Sequence, residues 1–175
     1  MLRPIAQRTV LCTTTTLLLA LAGCSHTALQ PAATQQAARA SDSAPEIAAR
    51  LTLEQANDVT LYAISLVGTP YRYGGNTPAS GFDCSGLIGH VYRANAGVAA
   101  PRTVAALVDW GQAVPAQSLR SGDLVVFTQN GVSSHAGIYV GEGRFVHAPS
   151  TGGEVRLDVL TAKHWARQQI SYRRP

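Results

Sequence analysis

Charge is scarce in this chain. Lysine and arginine number 14 and aspartate and glutamate 10 in 175 residues, so only 14% of side chains are charged, against roughly 25% in an average soluble domain. No long run of one sign occurs, which argues against an acidic disordered tail or a charge-laced coiled coil. No Lys/Arg stripe is present either, so nucleic acid is not an expected partner. Aromatics make up 6%, and any core must therefore rest on alanine, valine and leucine. The three cysteines are too few for a disulfide framework and lack the spacing of a metal site. The length suits one domain with a real core, and the chain is expected to be monomeric.

What is present begins with an N-terminal address. Residues 1–23 carry Arg3 and Arg8, no acid, and an apolar run from Val10 to Ala22 interrupted by Thr13 to Thr16. That run falls short of the roughly 20 apolar residues of a spanning helix and fits a secretory signal. Its end, Leu21-Ala22-Gly23-Cys24, resembles the lipobox of bacterial lipoproteins. The resemblance implies removal of residues 1–23 and a diacylglycerol on the Cys24 thiol, which would hold the protein at a membrane. With Ser25 next, the family's sorting rule implies the outer membrane, facing the periplasm. Losing Arg3 and Arg8 lowers the formal charge from +4 to +2, so the basic balance says little about partners. Residues 24–50 then read as a flexible tether rich in Ala, Gln, Ser and Thr, and residues 51–175 as the folded domain.

Within that domain, Thr52-Leu53-Glu54-Gln55 forms a capping box ahead of apolar positions at helical spacing from Leu53 to Val67, with Gly68 and Pro70 as the stop. A glycine-rich loop follows. Asp83 or Ser85 caps a second helix that stops near Gly97, and Thr103 caps a shorter one through Ala106, Leu107 and Trp110, ending at Gly111. The period then changes. Residues 124–128, 136–140, 144–147 and 154–157 alternate as short strands between glycine-containing turns. Helices first and strands later predict an α+β fold on an antiparallel sheet.

Of the cysteines, Cys12 leaves with the signal, Cys24 takes lipid, and Cys84 stands alone in an oxidising compartment. A lone cysteine is often just a small buried apolar residue. Cys84, however, sits in Gly81-Phe82-Asp83-Cys84-Ser85-Gly86, where a loop turns into a helix. There the unpaired amides and the positive dipole end favour thiolate and can bind an oxyanion. A thiolate nucleophile needs a base. His26 lies in the tether, His90 points away from Cys84 on the same helix, and His164 has no supporting motif. His135 and His147 flank one predicted hairpin. With Gly141-Glu142-Gly143 as a three-residue loop, Val140 opposes Arg144, His135 opposes Pro149 and His147 opposes Gly137. The two histidines are then diagonal neighbours on one face, with Cβ atoms roughly 7 Å apart. A two- or four-residue loop would separate them onto opposite faces. Cys84 as nucleophile, His135 as base and His147 as its orienting partner make a coherent set. A zinc site from the same three residues would lack a fourth protein ligand.

Gly68-Thr69-Pro70-Tyr71-Arg72-Tyr73-Gly74-Gly75, Phe82-Asp83-Cys84-Ser85-Gly86-Leu87, Ser121-Gly122-Asp123-Leu124, His135-Ala136-Gly137-Ile138-Tyr139 and Phe145-Val146-His147-Ala148-Pro149 resemble, in order, the motifs of the NlpC family of papain-like cell-wall peptidases. The resemblance covers about residues 55 to 172. It implies a papain-like NlpC fold with the nucleophile at a helix N-terminus, and hydrolysis of peptide bonds in peptidoglycan stems through a Cys84-His135-His147 triad, with no metal or cofactor. It also implies that Tyr73 assists the oxyanion or substrate, and that Asp83, Ser85 and Arg102 contact the stem peptide. Simple helix caps, loop packing or a surface position account for those four equally well. Leu107 departs from the family, where a polar residue is common. A lipoprotein of this type resembles endopeptidases that cut the D-alanyl–meso-diaminopimelate cross-link. The runner-up is the γ-D-glutamyl–diaminopimelate bond, and a lipid acyltransferase or amidase and an inactive peptidoglycan-binding module are the alternatives of other classes.

Overall fold

The computed structural model describes residues 50–175. The signal, Cys24, His26 and nearly all of the tether lie outside the described residues. Helix α1, Leu53–Ser65, opens on the anticipated capping box: Thr52 Oγ1 accepts from the Gln55 N–H, and the Gln55 side chain accepts from the Thr52 N–H. It ends at Leu66, earlier than the apolar spacing to Val67 predicts, and leaves Val67 exposed. A ribbon of two short strands, β1 (Asn76–Thr77) and β2 (Gly81–Phe82), leads into α2, Cys84–Ala96. Gly97 closes α2 in the left-handed conformation, as a glycine readily does. The third helix is only one turn, α3, Val104–Leu107. Trp110 lies beyond it and packs edge-on against Tyr92 at 5.1 Å.

The sheet has six strands, all pairings antiparallel, in the order β3-β8-β4-β5-β6-β7. They are β3 (Gln112–Val114), β4 (Leu124–Gln129), β5 (Val132–Gly141), β6 (Arg144–His147), β7 (Arg156–Val159) and β8 (Gln169–Arg174). Strand β3 is only three residues long and β8 alternates at only two apolar positions, Ile170 and Tyr172, so the sequence signals both weakly. Their pairing brings Arg174 onto the buried Asp123 carboxylate through two contacts of 2.9 Å. Central β4 is buried at four consecutive positions because both faces are covered. Leu124 and Val126 meet Val59, Leu87, Ile88 and Val91 on the helical side, while Val125 and Phe127 meet Phe145 and Trp165 on the other.

The β5–β6 turn departs from the expected three-residue loop. Gly141 pairs directly with Arg144, leaving a two-residue turn of Glu142 and Gly143, both with positive φ. Taken alone, that turn would put the two histidines on opposite faces. A register shift between Tyr139 and Gly141 restores the predicted pairing, so Tyr139 opposes Phe145 and Ile138 opposes Val146. The bulged residue consumes the one-residue slip.

Candidate active site

Cys84 is the first residue of α2, and the loop before it is tied down from several sides. Asp83 is the N-cap, its Oδ1 accepting from the Gly86 N–H at 2.7 Å. Its Oδ2 accepts from the Gly74 N–H at 2.9 Å. The Arg102 guanidinium clamps the same carboxylate at 2.6 and 3.0 Å and donates to Gly75 O at 3.1 Å. Ser85 Oγ donates to Arg102 O at 2.8 Å. Asp83, Ser85 and Arg102 are thus one network beneath the start of the helix. Burial pushes the Asp83 carboxyl up, but Arg102 and the Gly86 amide outweigh it and hold it below its ordinary range. Tyr73 differs from these three: it is 87% exposed and stands over a cavity of about 580 Å³ shared with Tyr71, Cys84, Arg102 and Ser134.

The thiol does not follow the helix-dipole expectation. Burial pushes Cys84 up, with the neighbouring Asp83 charge adding to it, and the backbone N–H groups of Ser85, Ala136 and Cys84 itself only partly oppose this. The resting group is a thiol because removing a thiolate from water outweighs the amides of one helix end. Helix α2 packs against β5, and the Ala136 N–H lies close enough to the sulfur to oppose that rise.

His135 on β5 and His147 on β6 are both buried, and their rings meet edge to face. His135 Nε2 and His147 Nδ1 lie 2.8 Å apart. Two nitrogens sharing a tetrahedral metal with bonds of about 2.0–2.1 Å would stand roughly 3.3 Å apart, so a shared proton fits this spacing better than a shared ion. Burial pushes His135 down to about 3 and His147 down to about 4, so the pair is neutral near neutral pH. Among the described residues no hydrogen bond joins Cys84 to His135. His135 opens instead on a second cavity of about 470 Å³, with Arg156, His164, Trp165 and Gln168, and Ser134 borders both cavities. Catalytic hydrogen bonds are often long in an unliganded enzyme and tighten with substrate.

Three features of the site are not evident from the sequence. Asp158 on β7 places Oδ2 3.1 Å from His147 Nε2, off the axis that a well-aligned hydrogen bond would need. The same oxygen accepts from Trp165 Nε1 at 2.9 Å and from Arg156 at 3.0 Å. Trp165 stacks on His135, with centroids 5.2 Å apart and planes 23° apart. The β6–β7 register, His147 opposite Arg156, puts Asp158 diagonal to His147, but an eight-residue connection hides that register from sequence reasoning. Of the other histidines, His90 bonds Tyr62 Oη at 2.9 Å and packs on Phe82, whereas His164 lies edge-on to Trp165.

A cysteine at a helix N-terminus, with a histidine pair on the antiparallel sheet that the helix packs against, fits a papain-like α+β domain. The NlpC/P60 family model matches residues 68–174, and the chain belongs to that family. It is 40% identical over 112 residues to murein DD-endopeptidase MepH of Escherichia coli K12, covering 62% of this chain and 41% of that protein. It is 39% identical over 111 residues to the gamma-DL-glutamyl hydrolase of Bacillus subtilis 168, covering 62% of this chain and 26% of that one. The chain therefore spans less than half the length of either relative. An NlpC/P60 family protein from Bacillus cereus ATCC 10987 superposes with a TM-score of 0.64 at 29% identity, over 68% of this chain and 39% of that one.

Proposed function

We propose that this protein is a cysteine peptidase that hydrolyses stem-peptide bonds of peptidoglycan. The observation that carries the reading is the buried His135–His147 pair, neutral and joined at 2.8 Å, with His135 on β5, the strand against which the Cys84 helix packs. With Nε2 engaged by His147, His135 has Nδ1 left for the thiol. The thiol gives its proton to His135 as sulfur attacks the scissile carbonyl. The Cys84 backbone amide and the Tyr73 hydroxyl receive the oxyanion. His135 then protonates the leaving amine, and water hydrolyses the thioester. Asp83, Ser85 and Arg102 act chiefly by holding α2 in place, and the stem peptide lies across the two cavities that Ser134 separates.

The bond we favour is the D-alanyl–meso-diaminopimelate cross-link, supported by similarity to a murein DD-endopeptidase. Similarity to a gamma-DL-glutamyl hydrolase favours the γ-D-glutamyl–diaminopimelate bond as the second reading. Residues 1–23 are the signal, Cys24 the lipid anchor and 24–50 the tether of a protein held at the outer membrane. Purified cross-linked muropeptides, incubated with wild type and with Cys84→Ala, separate these readings by product mass. Dimers converted to monomers support cross-link cleavage, and shortened stems support the second bond. Intact muropeptides with wild type would refute the peptidase reading.

A further inference from the structure

His147 is wholly buried, and one of its ring nitrogens has no well-aligned partner. The Asp158 carboxylate is the acceptor that stands before it, at 3.1 Å. We propose that Asp158 is a positioning residue that, acting through His147, sets the tautomers of both histidines so that His135 presents a bare Nδ1 to the thiol. This rests on the reading of His135 as the base.

The argument is a chain of proton assignments. An ionised carboxylate only accepts hydrogen bonds, so His147 Nε2 carries the proton that faces Asp158. His147 Nδ1 is then a lone pair, and the 2.8 Å contact must be donated by His135 Nε2–H. His135 in turn has no proton on Nδ1. A neutral imidazole with a bare Nδ1 accepts a thiol proton, whereas the other tautomer cannot. Burial pushes the Asp158 carboxyl up, yet the Trp165 N–H, His147 and Arg156 outweigh it and keep it below its usual range. Trp165 serves the arrangement twice. Its indole N–H pins the carboxylate at 2.9 Å, and its ring face stacks on His135.

The test compares Asp158→Asn with Asp158→Ala. Trp165 Nε1–H, Arg156 and His147 Nε2 all face the one oxygen Oδ2, so asparagine, with its carbonyl oxygen turned to that point, keeps the acceptor and with it both tautomers. Asp158→Ala leaves His147 Nε2 with no acceptor and frees both histidines to take the other tautomer. The expected loss is in kcat, roughly tenfold or more for Asp158→Ala at nearly unchanged KM, with Asp158→Asn restoring most of it. A merely structural role would lower the unfolding midpoint without moving the histidine tautomers. Wild-type kcat in Asp158→Ala, or a loss in Asp158→Asn as large as in Asp158→Ala, would overturn the proposal.

Imidazole ¹⁵N spectra of the full chain supply a readout that needs no turnover. Wild type and Asp158→Asn should show both buried histidines protonated at Nε2, and Asp158→Ala should show protonation at Nδ1 in both. Wild-type histidines protonated at Nδ1 would overturn the proposal even if muropeptides are cleaved. The predicted tautomers with inert muropeptides would leave the assignment standing and remove the peptidase reading instead.

Discussion

Two glycines of α2 make a sharp test of how the nucleophile is held. Gly86 lies two residues after Cys84, and a Cβ built on it would stand 2.0 Å from the Gly75 carbonyl oxygen. Ordinary contact begins near 3.4 Å, so Gly86→Ala must move the helix start or the 74–75 loop by about 1.4 Å. Neither moves freely. The Gly86 N–H holds Asp83, and Asp83 and Arg102 hold Gly74 and Gly75. A misplacement of about 1 Å costs on the order of 10²-fold in rate, and forced overpacking costs about 1–3 kcal/mol of stability. Gly89 is three residues further along the same helix and has nothing within 4 Å of a built Cβ. Gly89→Ala should therefore gain about 0.5–1 kcal/mol from reduced chain entropy and leave turnover unchanged. Muropeptide turnover, urea midpoints and the alkylation rate of Cys84 read the two variants. Wild-type turnover in Gly86→Ala, or equal damage from Gly89→Ala, would refute the reasoning.

Acid should loosen the fold through the same histidines that serve the site. His135 and His147 titrate at about 3 and about 4 when folded but near 6.5 when free, so from pH 6.5 down to about 4 the unfolded chain binds more protons. Stability then falls on acidification by up to about 1.4 kcal/mol per pH unit for each histidine; urea midpoints that stay level from pH 7 to 4.5 would contradict this. For the segment beyond the described residues, growth of a Gram-negative strain expressing the whole sequence with a labelled fatty acid should yield label on the processed chain that begins at Cys24. Cys24→Ser should lose that label, and label retained in the variant would exclude Cys24 as the anchor.

Legibility in the sequence tracked how local each determinant is. The α1 start needs only Thr52 and Gln55, and the α2 start needs only Asp83 and Gly86, so both could be read from a few neighbouring residues. The extent of α3 was overestimated because Trp110 belongs to the apolar pattern without belonging to the helix: it packs on Tyr92 from outside the turn. Strand β8 is harder to read: Ile170 and Tyr172 alternate with Gln169, Ser171 and Arg173 and pack beside Phe127 and Trp165, but two apolar positions are a weak signal, and its place between β3 and β4 comes from pairing.

The histidine pair lies between these cases. Its shared face was inferred from a three-residue loop, and the protein reaches that face with a two-residue turn and a bulge. The two routes agree because burial decides. With Ile138 and Val146 required on the helical side of the sheet, His147 must fall on the opposite face with Phe145, whatever the turn does. The thiol expectation failed for the converse reason. A helix N-terminus is a local feature that favours thiolate, but desolvation by the packed sheet is not local, and it is the larger effect on Cys84. For the proposed mechanism the consequence is chemical: a resting thiol and a neutral imidazole exchange the proton only when substrate arrives. Which nitrogen receives that proton then matters more than how acidic the resting sulfur is.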